Sequence, residues 1–381
     1  MRILKFMFLA ISLGFCFIPI GCERHFNGPT HYSEYENWQV THLGGGKEFD
    51  CNAVAIGALK ANDESRLYLL QRRHTESVCR VLECSFKDGK WLEDEIYSYP
   101  AMDSQAAIGQ CRNDGVNRLY IAHDTAGMTS YTLQELSRDN GTWKSTEIEC
   151  EAFRGGAITV GQGRNDGMNR IYCCGSEGDI YEYTFTGNSW DRETFGPGGE
   201  FPVDEIAIGA ARNDGVNRVY AAGHNGVIYE LSFTGAMWNI ANLGTVKNEM
   251  YGNDVYIAVG QGRSDGLERV YTCVENLDAI YELSYRVQGE WVMDSTKVDF
   301  GGAGLSIGKG RNDNMYRIYR AGSFGHLQES SYLDEEWRHT ADLRGTSYFR
   351  GVTIGKGRGD HVSRIYGLCT DGYVLEFSYQ P

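Results

Sequence analysis

The sequence predicts an all-β fold, a seven-bladed β-propeller of four-stranded blades closed by an N-terminal outer strand. Three observations predict it. The composition sets 48 Gly against 6 Pro and adds 24 Tyr, 16 Phe and 7 Trp, a mixture of turn formers and aromatic strand formers. An apolar stretch ending in glycine recurs seven times, at Gly57, Gly109, Gly161, Gly209, Gly260, Gly308 and Gly355, at intervals of 47 to 52 residues. That spacing matches one four-stranded blade. The tryptophans keep the same beat, with Trp91, Trp143, Trp190, Trp238, Trp291 and Trp337 each ending a repeat.

The fourth repeat shows how each element follows from its residues. Residues 206–209 form a short apolar inner strand, and residues 212–217, Arg-Asn-Asp-Gly-Val-Asn, form the first turn. Residues 218–222 form the second strand, residues 223–226 the next turn, and residues 227–233 a third strand of alternating character. Thr234-Gly235 then turns the chain into an outer strand carrying Trp238. Gly and Asn supply the positive φ angles of tight hairpins. The seventh repeat ends at Tyr379 with no tryptophan, while Trp38 lies ahead of the first. Residues around 37–40 are therefore expected to supply the outer strand of the last blade, hiding two sheet edges. The propeller spans 37–381.

Residues 1–21 read as a signal peptide: Arg2 and Lys5 precede an apolar run too short to span a bilayer comfortably. Ile18-Pro19-Ile20-Gly21-Cys22 resembles the lipobox of bacterial lipoproteins, with Gly21 and Cys22 matching and Pro19 standing where Leu is usual. The resemblance implies lipidation of Cys22, residues 22–36 as a polar tether, and a place in the bacterial cell envelope, in the periplasm or at the cell surface. The alternative is an ordinary secretory signal and a secreted protein. Contact with a membrane is then expected only through the lipid.

The formal charge is −15, and −17 without Arg2 and Lys5. Nucleic acid is not an expected partner, because phosphate binding needs a basic surface. Nine cysteines remain after Cys16 and Cys22, an odd number with no CxxC pair, which points to small buried residues rather than zinc ligands or a disulfide framework. A monomer with no cofactor is expected. No GxSxG, HExxH or two-histidine metal pattern is present, so an enzyme is the least favoured class.

The polar turn carries the chemistry. Five residues after the repeat glycine stands Asp114, Asp166, Asp214, Asp265, Asp313 or Asp360. This frame resembles the calcium loop of integrin-type FG-GAP repeats. Calcium wants six or more oxygens, yet Arg164, Arg212 or Arg311 occupies a ligand position here. The expectation is a metal-free turn in which a guanidinium meets the aspartate and the repeat arginine is aimed at the inter-blade groove. That arginine, nine residues after each glycine, is Arg66, Arg118, Arg170, Arg218, Arg269, Arg317 or Arg364. Each third strand carries a glutamate, Glu83, Glu135, Glu182, Glu230, Glu282, Glu329 or Glu376, placed to neighbour it across the hairpin.

Arg170-Ile171-Tyr172, Gly178-Asp179-Ile180-Tyr181-Glu182, Phe185, Gly187 and Trp190 resemble the repeat of fungal fucose-specific lectins, and residues 218–238 do so again. The resemblance implies a carbohydrate between blades, its oxygens held by arginine and glutamate and its apolar face covered by an aromatic ring. The candidate ligand-binding residues are then Arg170, Glu182, Trp190, Arg218, Glu230, Trp238, Arg269, Glu282, Arg317, Glu329, Arg364 and Glu376. The alternative is a protein-interaction propeller in which the Arg–Glu and Arg–Asp pairs are structural and the tryptophans are outer-strand packing. The turns carrying His224 and His326 and the longer loop near Arg72-Arg73-His74 are candidates for one functional face, the alternative being solvated turn histidines.

Overall fold

The structure, a computed structural model, describes residues 37–381 except 46–47, 60–63, 125–130, 152–156, 176, 200–201, 247–253, 298–300 and 346. The chain divides into residues 1–36 and residues 37–381. The signal peptide, Cys22 and the tether lie outside the described residues.

Seven four-stranded antiparallel sheets follow one another along the chain. Blade 1 covers residues 49–100, blade 2 residues 104–151, blade 3 residues 158–195, blade 4 residues 203–245, blade 5 residues 255–297, blade 6 residues 305–344 and blade 7 residues 349–379. The fourth strand of blade 7 is Trp38–Leu43, which pairs antiparallel with Val374–Tyr379 in the register Trp38↔Tyr379 to Leu43↔Val374. The expected closure is there, and Trp38–Leu43 covers the edge that Val374–Tyr379 would otherwise expose. In blade 4 the inner strand begins three residues earlier than the apolar run suggests, at Val203.

Blade packing follows from the two-residue period of a strand. Every residue of the second strand Arg218–Gly223 is buried. Its side chains alternate between neighbours. Val219 and Ala221 pack with Tyr172 and Ile180 of blade 3, while Tyr220 and Ala222 pack with Val255 and Val270 of blade 5. The eight described free cysteines are all buried, and burial pushes the Cys51 thiol up to about 12, so they act as small apolar fillers.

The repeat glycine sits where two inner strands approach. A Cβ at Gly209 would lie 2.3 Å from Val259 of blade 5, and one at Gly57 would lie 3.0 Å from Ile108 of blade 2. Gly355 meets Ile56 of blade 1 in the same way, at 2.9 Å, so the contact runs once around the ring. The inner-strand turns form one face of the ring. The turns between second and third strands, together with the links from blade to blade, form the other, called here the connection face.

Gly209→Ala is expected to lower stability by about 1–3 kcal/mol through overpacking. Val259→Ala in the same chain should recover part of that loss. A double-mutant cycle in chemical denaturation measures the coupling; strictly additive effects would show that this contact does not set the blade spacing.

Candidate functional site

The arginines and glutamates singled out by the sequence do meet in every blade. In blade 4, Arg218 grips Asp214 with both terminal nitrogens, at 2.9 and 2.7 Å, and donates to the Val216 carbonyl at 2.8 Å. The same pair forms at Arg118–Asp114, Arg170–Asp166, Arg269–Asp265, Arg317–Asp313 and Arg364–Asp360. Hydrogen bonds from Arg218 hold the Asp214 carboxyl down to about 2. The glutamate is a looser neighbour, with Arg218 Nε 3.8 Å from Glu230. The repeat arginine therefore turns toward its own hairpin, not toward the inter-blade groove as expected. A carboxylate four residues upstream offers a planar, two-point partner at short range.

The groove is sealed by a different arginine, three residues after the glycine. Arg212 donates to both oxygens of Glu230, at 2.9 and 2.5 Å, and its guanidinium lies 4.6 Å over the Tyr285 ring of blade 5. Arg112 over Phe185, Arg164 over Phe233, Arg263 over Tyr332, Arg311 over Tyr379 and Arg358 over Phe86 repeat this contact, at 3.8 to 4.9 Å. Between blades 1 and 2 the roles exchange. Blade 2 carries Arg138 in place of the aromatic, and Arg138 reaches back to within 3.6 Å of Glu83.

The asparagine of the turn adds a second bridge. Asn165 donates to the Asn217 carbonyl at 2.8 Å and accepts from the Asn217 amide at 2.7 Å. Asn113 with Asn169, Asn213 with Glu268, Ser264 with Tyr316 and Asn312 with Ser363 do the same.

These networks occupy the candidate ligand residues. Arg170 and Glu182 are buried, as are Arg218 with Glu230, Arg269 with Glu282, Arg317 with Glu329 and Arg364 with Glu376. Trp190 and Trp238 are half-buried and stand edge-on to Tyr120 and Tyr172 of the preceding blades, at 6.0 and 6.4 Å. Little guanidinium or carboxylate surface is left here for a ligand.

The connection face holds a different assembly, at the mouth of the central channel. A cavity of about 810 Å³ is lined there by Asp103, Asp204, Glu205, His224, Asp254, Glu275 and Arg350. A register shift between Val203 and Glu205 sets Asp204 outside the ladder. Asp204 and Glu205 then accept from the Val255 and Ile257 amides of blade 5, each at 2.9 Å. His224 Nδ1 stands 3.0 Å from Asp204, and Arg350 stands 4.0 Å from Asp50.

Desolvation pushes the Asp204 carboxyl up to about 6, with the Val255 amide and His224 opposing and the Asp254 charge adding. Desolvation likewise raises Glu205 to about 8, against the Ile257 amide and with Asp204 and Asp254 adding. Asp103 and Glu275 are raised for the same first reason. Asp204, His224 and Asp254 each offer one ligand atom, all within 4.8 Å of one another, so they have the donor types a divalent cation accepts.

Sequence reasoning marked His224 but passed over the acids around it. The available signal was a break in the repeat. Five and four residues before the glycine, other blades carry residues such as Ser104-Gln105 or Ala303-Gly304, whereas blade 4 carries Asp204-Glu205.

No family model matches the chain, and no curated protein matches it. Among solved structures, the chain is similar to one in a crystal structure of BBS1N in complex with ARL6DN, with 12% identity and a TM-score of 0.58 over 91% of this chain and 97% of that one. It is similar to a chain of the mitotic checkpoint complex at 12% identity and TM-score 0.58, over 89% and 94%. These likenesses show the propeller fold.

Replacing Arg212 by Lys should cost about 1.5–3 kcal/mol, the scale of one hydrogen bond to a charged group, because the positive charge is kept while the two-point grip on Glu230 is lost. A lysine cannot fork onto the carboxylate and stack on Tyr285 at once. An unchanged denaturation midpoint would count against the seal.

Glu205 should make stability pH-dependent in the opposite sense to a paired carboxylate. Its folded value of about 8 lies above the usual 4.5. The unfolded chain ionises first, so the penalty appears as pH rises through that lower value and is complete above about 8. Glu205→Gln should therefore melt with wild type near pH 4 and above it near pH 9. Parallel melting curves at both pH values would contradict the raised carboxyl.

Proposed function

We propose that this protein is a non-enzymatic interaction propeller that receives a cationic segment of a partner protein at the acidic mouth of its central channel. The observation that carries this reading is the asymmetry of the mouth. Asp103, Asp204, Glu205, Asp254 and Glu275 gather against Arg350 and His224 around one cavity, while the repeated charges elsewhere are spent on each other. A desolvated cavity in which acids outnumber cations attracts counter-charge. A lysine or arginine side chain supplies that charge and allows the desolvated carboxyls to ionise.

The carbohydrate reading requires Arg170, Glu182 and their counterparts to leave buried pairs, so the scaffold role of those residues supports an interaction propeller instead. The structure of BBS1N is of a complex with ARL6DN, and a protein partner is the analogous expectation here. Residues 1–21 would direct export, and a lipid on Cys22 with residues 22–36 would tether the ring to a membrane.

Anisotropy of a fluorescein-labelled oligo-arginine peptide tests the reading. The full chain should bind it in a salt-sensitive way. Asp204→Asn combined with Asp254→Asn should weaken binding about tenfold or more, within the range for charge pairs at interfaces. Equal binding by the double variant, or equal binding of an oligo-glutamate control, would overturn it.

A further inference from the structure

On the same connection face, one residue is held at two costs that its repeat position does not require. The turn between the second and third strands of blade 6 places Phe324 at φ 61° and ψ 23°, followed by Gly325 at φ 77°. Two consecutive left-handed residues make the tight turn that Asn-Gly serves best. A bulky side chain at positive φ is a strained choice. The equivalent residues are Glu177 in blade 3, Asn225 in blade 4 and Asp371 in blade 7, each also followed by Gly. Neither Asn225 nor Asp371 has a positive φ. Phe324 is also 73% exposed. Neither turn geometry nor burial accounts for a phenylalanine here.

Its neighbour is Tyr348, 51% exposed, in the link from blade 6 to blade 7. The ring centroids are 5.5 Å apart. The two loops are tied by the Gly345 amide donating to the Gly325 carbonyl at 2.8 Å, and Tyr348 is fixed by the Thr370 amide donating to its carbonyl at 2.9 Å. Two residues beyond Tyr348, Arg350 lines the channel cavity, its charge set near Asp50 at 4.0 Å. The aromatic pair is therefore an exposed apolar step on the same face as the channel mouth.

We infer that Phe324 and Tyr348 form an apolar anchor site for the same partner segment, seating one aliphatic side chain while its lysine or arginine residues enter the acidic mouth. This rests on the interaction reading above. Charge complementarity selects the occupant: a basic peptide satisfies the mouth, and its one apolar side chain covers rings that the fold leaves bare. Exposed aromatic anchors beside a charged rim are the arrangement in which a few residues dominate binding.

The test uses the labelled oligo-arginine peptide and a positional set in which one leucine replaces each arginine in turn. At least one leucine position should bind the full chain about tenfold tighter than the parent, the scale of one anchor residue. That gain should vanish in Phe324→Asn and in Tyr348→Ser, while the parent binds both variants as it binds wild type. Phe324→Asn should also melt at a higher temperature than wild type, because Asn suits the left-handed turn position and removes exposed apolar surface. Parent binding with no leucine gain, or a gain that survives Phe324→Asn, overturns the anchor alone. Failure of every peptide to bind overturns both the anchor and the interaction reading.

Discussion

One constraint governs most of this molecule: each blade buries a glutamate carboxylate in its third strand, and that charge must be met inside the protein. Glu182, Glu329 and Glu376 have no exposed surface. An uncompensated buried carboxylate costs several kcal/mol, so the partner cannot be optional. In blades 2 to 7 the partner is the turn arginine, which bonds the glutamate and lies over an aromatic ring of the next blade; in blade 1 Arg66 and Arg138 meet Glu83. One side chain therefore neutralises a blade and joins it to its neighbour. The aspartate of the turn, gripped by the repeat arginine, sets the turn conformation that delivers the turn arginine to that place.

A ring built this way uses its repeated charges internally, which moves any recognition chemistry to positions that break the repeat. Three breaks stand out. Arg138 replaces an aromatic and reaches back to Glu83, keeping the junction between blades 1 and 2 charged. Asp204 and Glu205 interrupt an apolar inner strand and turn to the channel mouth. Phe324 takes a left-handed conformation at a turn position where blades 3, 4 and 7 carry Glu177, Asn225 and Asp371. The first preserves the scaffold; the second also ties blade 4 to blade 5 through the Val255 and Ile257 amides, and the second and third lie on one face.

The ring was legible in the sequence because its signals are periodic and local. The glycine, arginine, tyrosine and glutamate recur at offsets set by hairpin geometry, and Trp38 closes the count because its strand had no other blade to join. The aim of the repeat arginine was not legible. Two arginines six residues apart share the turn, and both lie near the same glutamate. Which one faces the next blade depends on how adjacent sheets are stacked, and no spacing within a blade encodes that. The acidic mouth was missed for a related reason: Asp103, Asp204, Asp254 and Glu275 come from three blades and are scattered in the chain.

Sequence alone determined the number of blades, their strand pattern, the closing strand and the pairing of a guanidinium with the turn aspartate. All of these follow from alternation, turn chemistry and charge over a few dozen residues. Tertiary structure alone decided that the conspicuous Arg–Glu pairs are buried mortar and that acids outside the repeat pattern converge on one channel mouth. Burial and convergence depend on which blades become neighbours in space, and desolvation, which raises Asp204 and Glu205, exists only once the ring has closed around them.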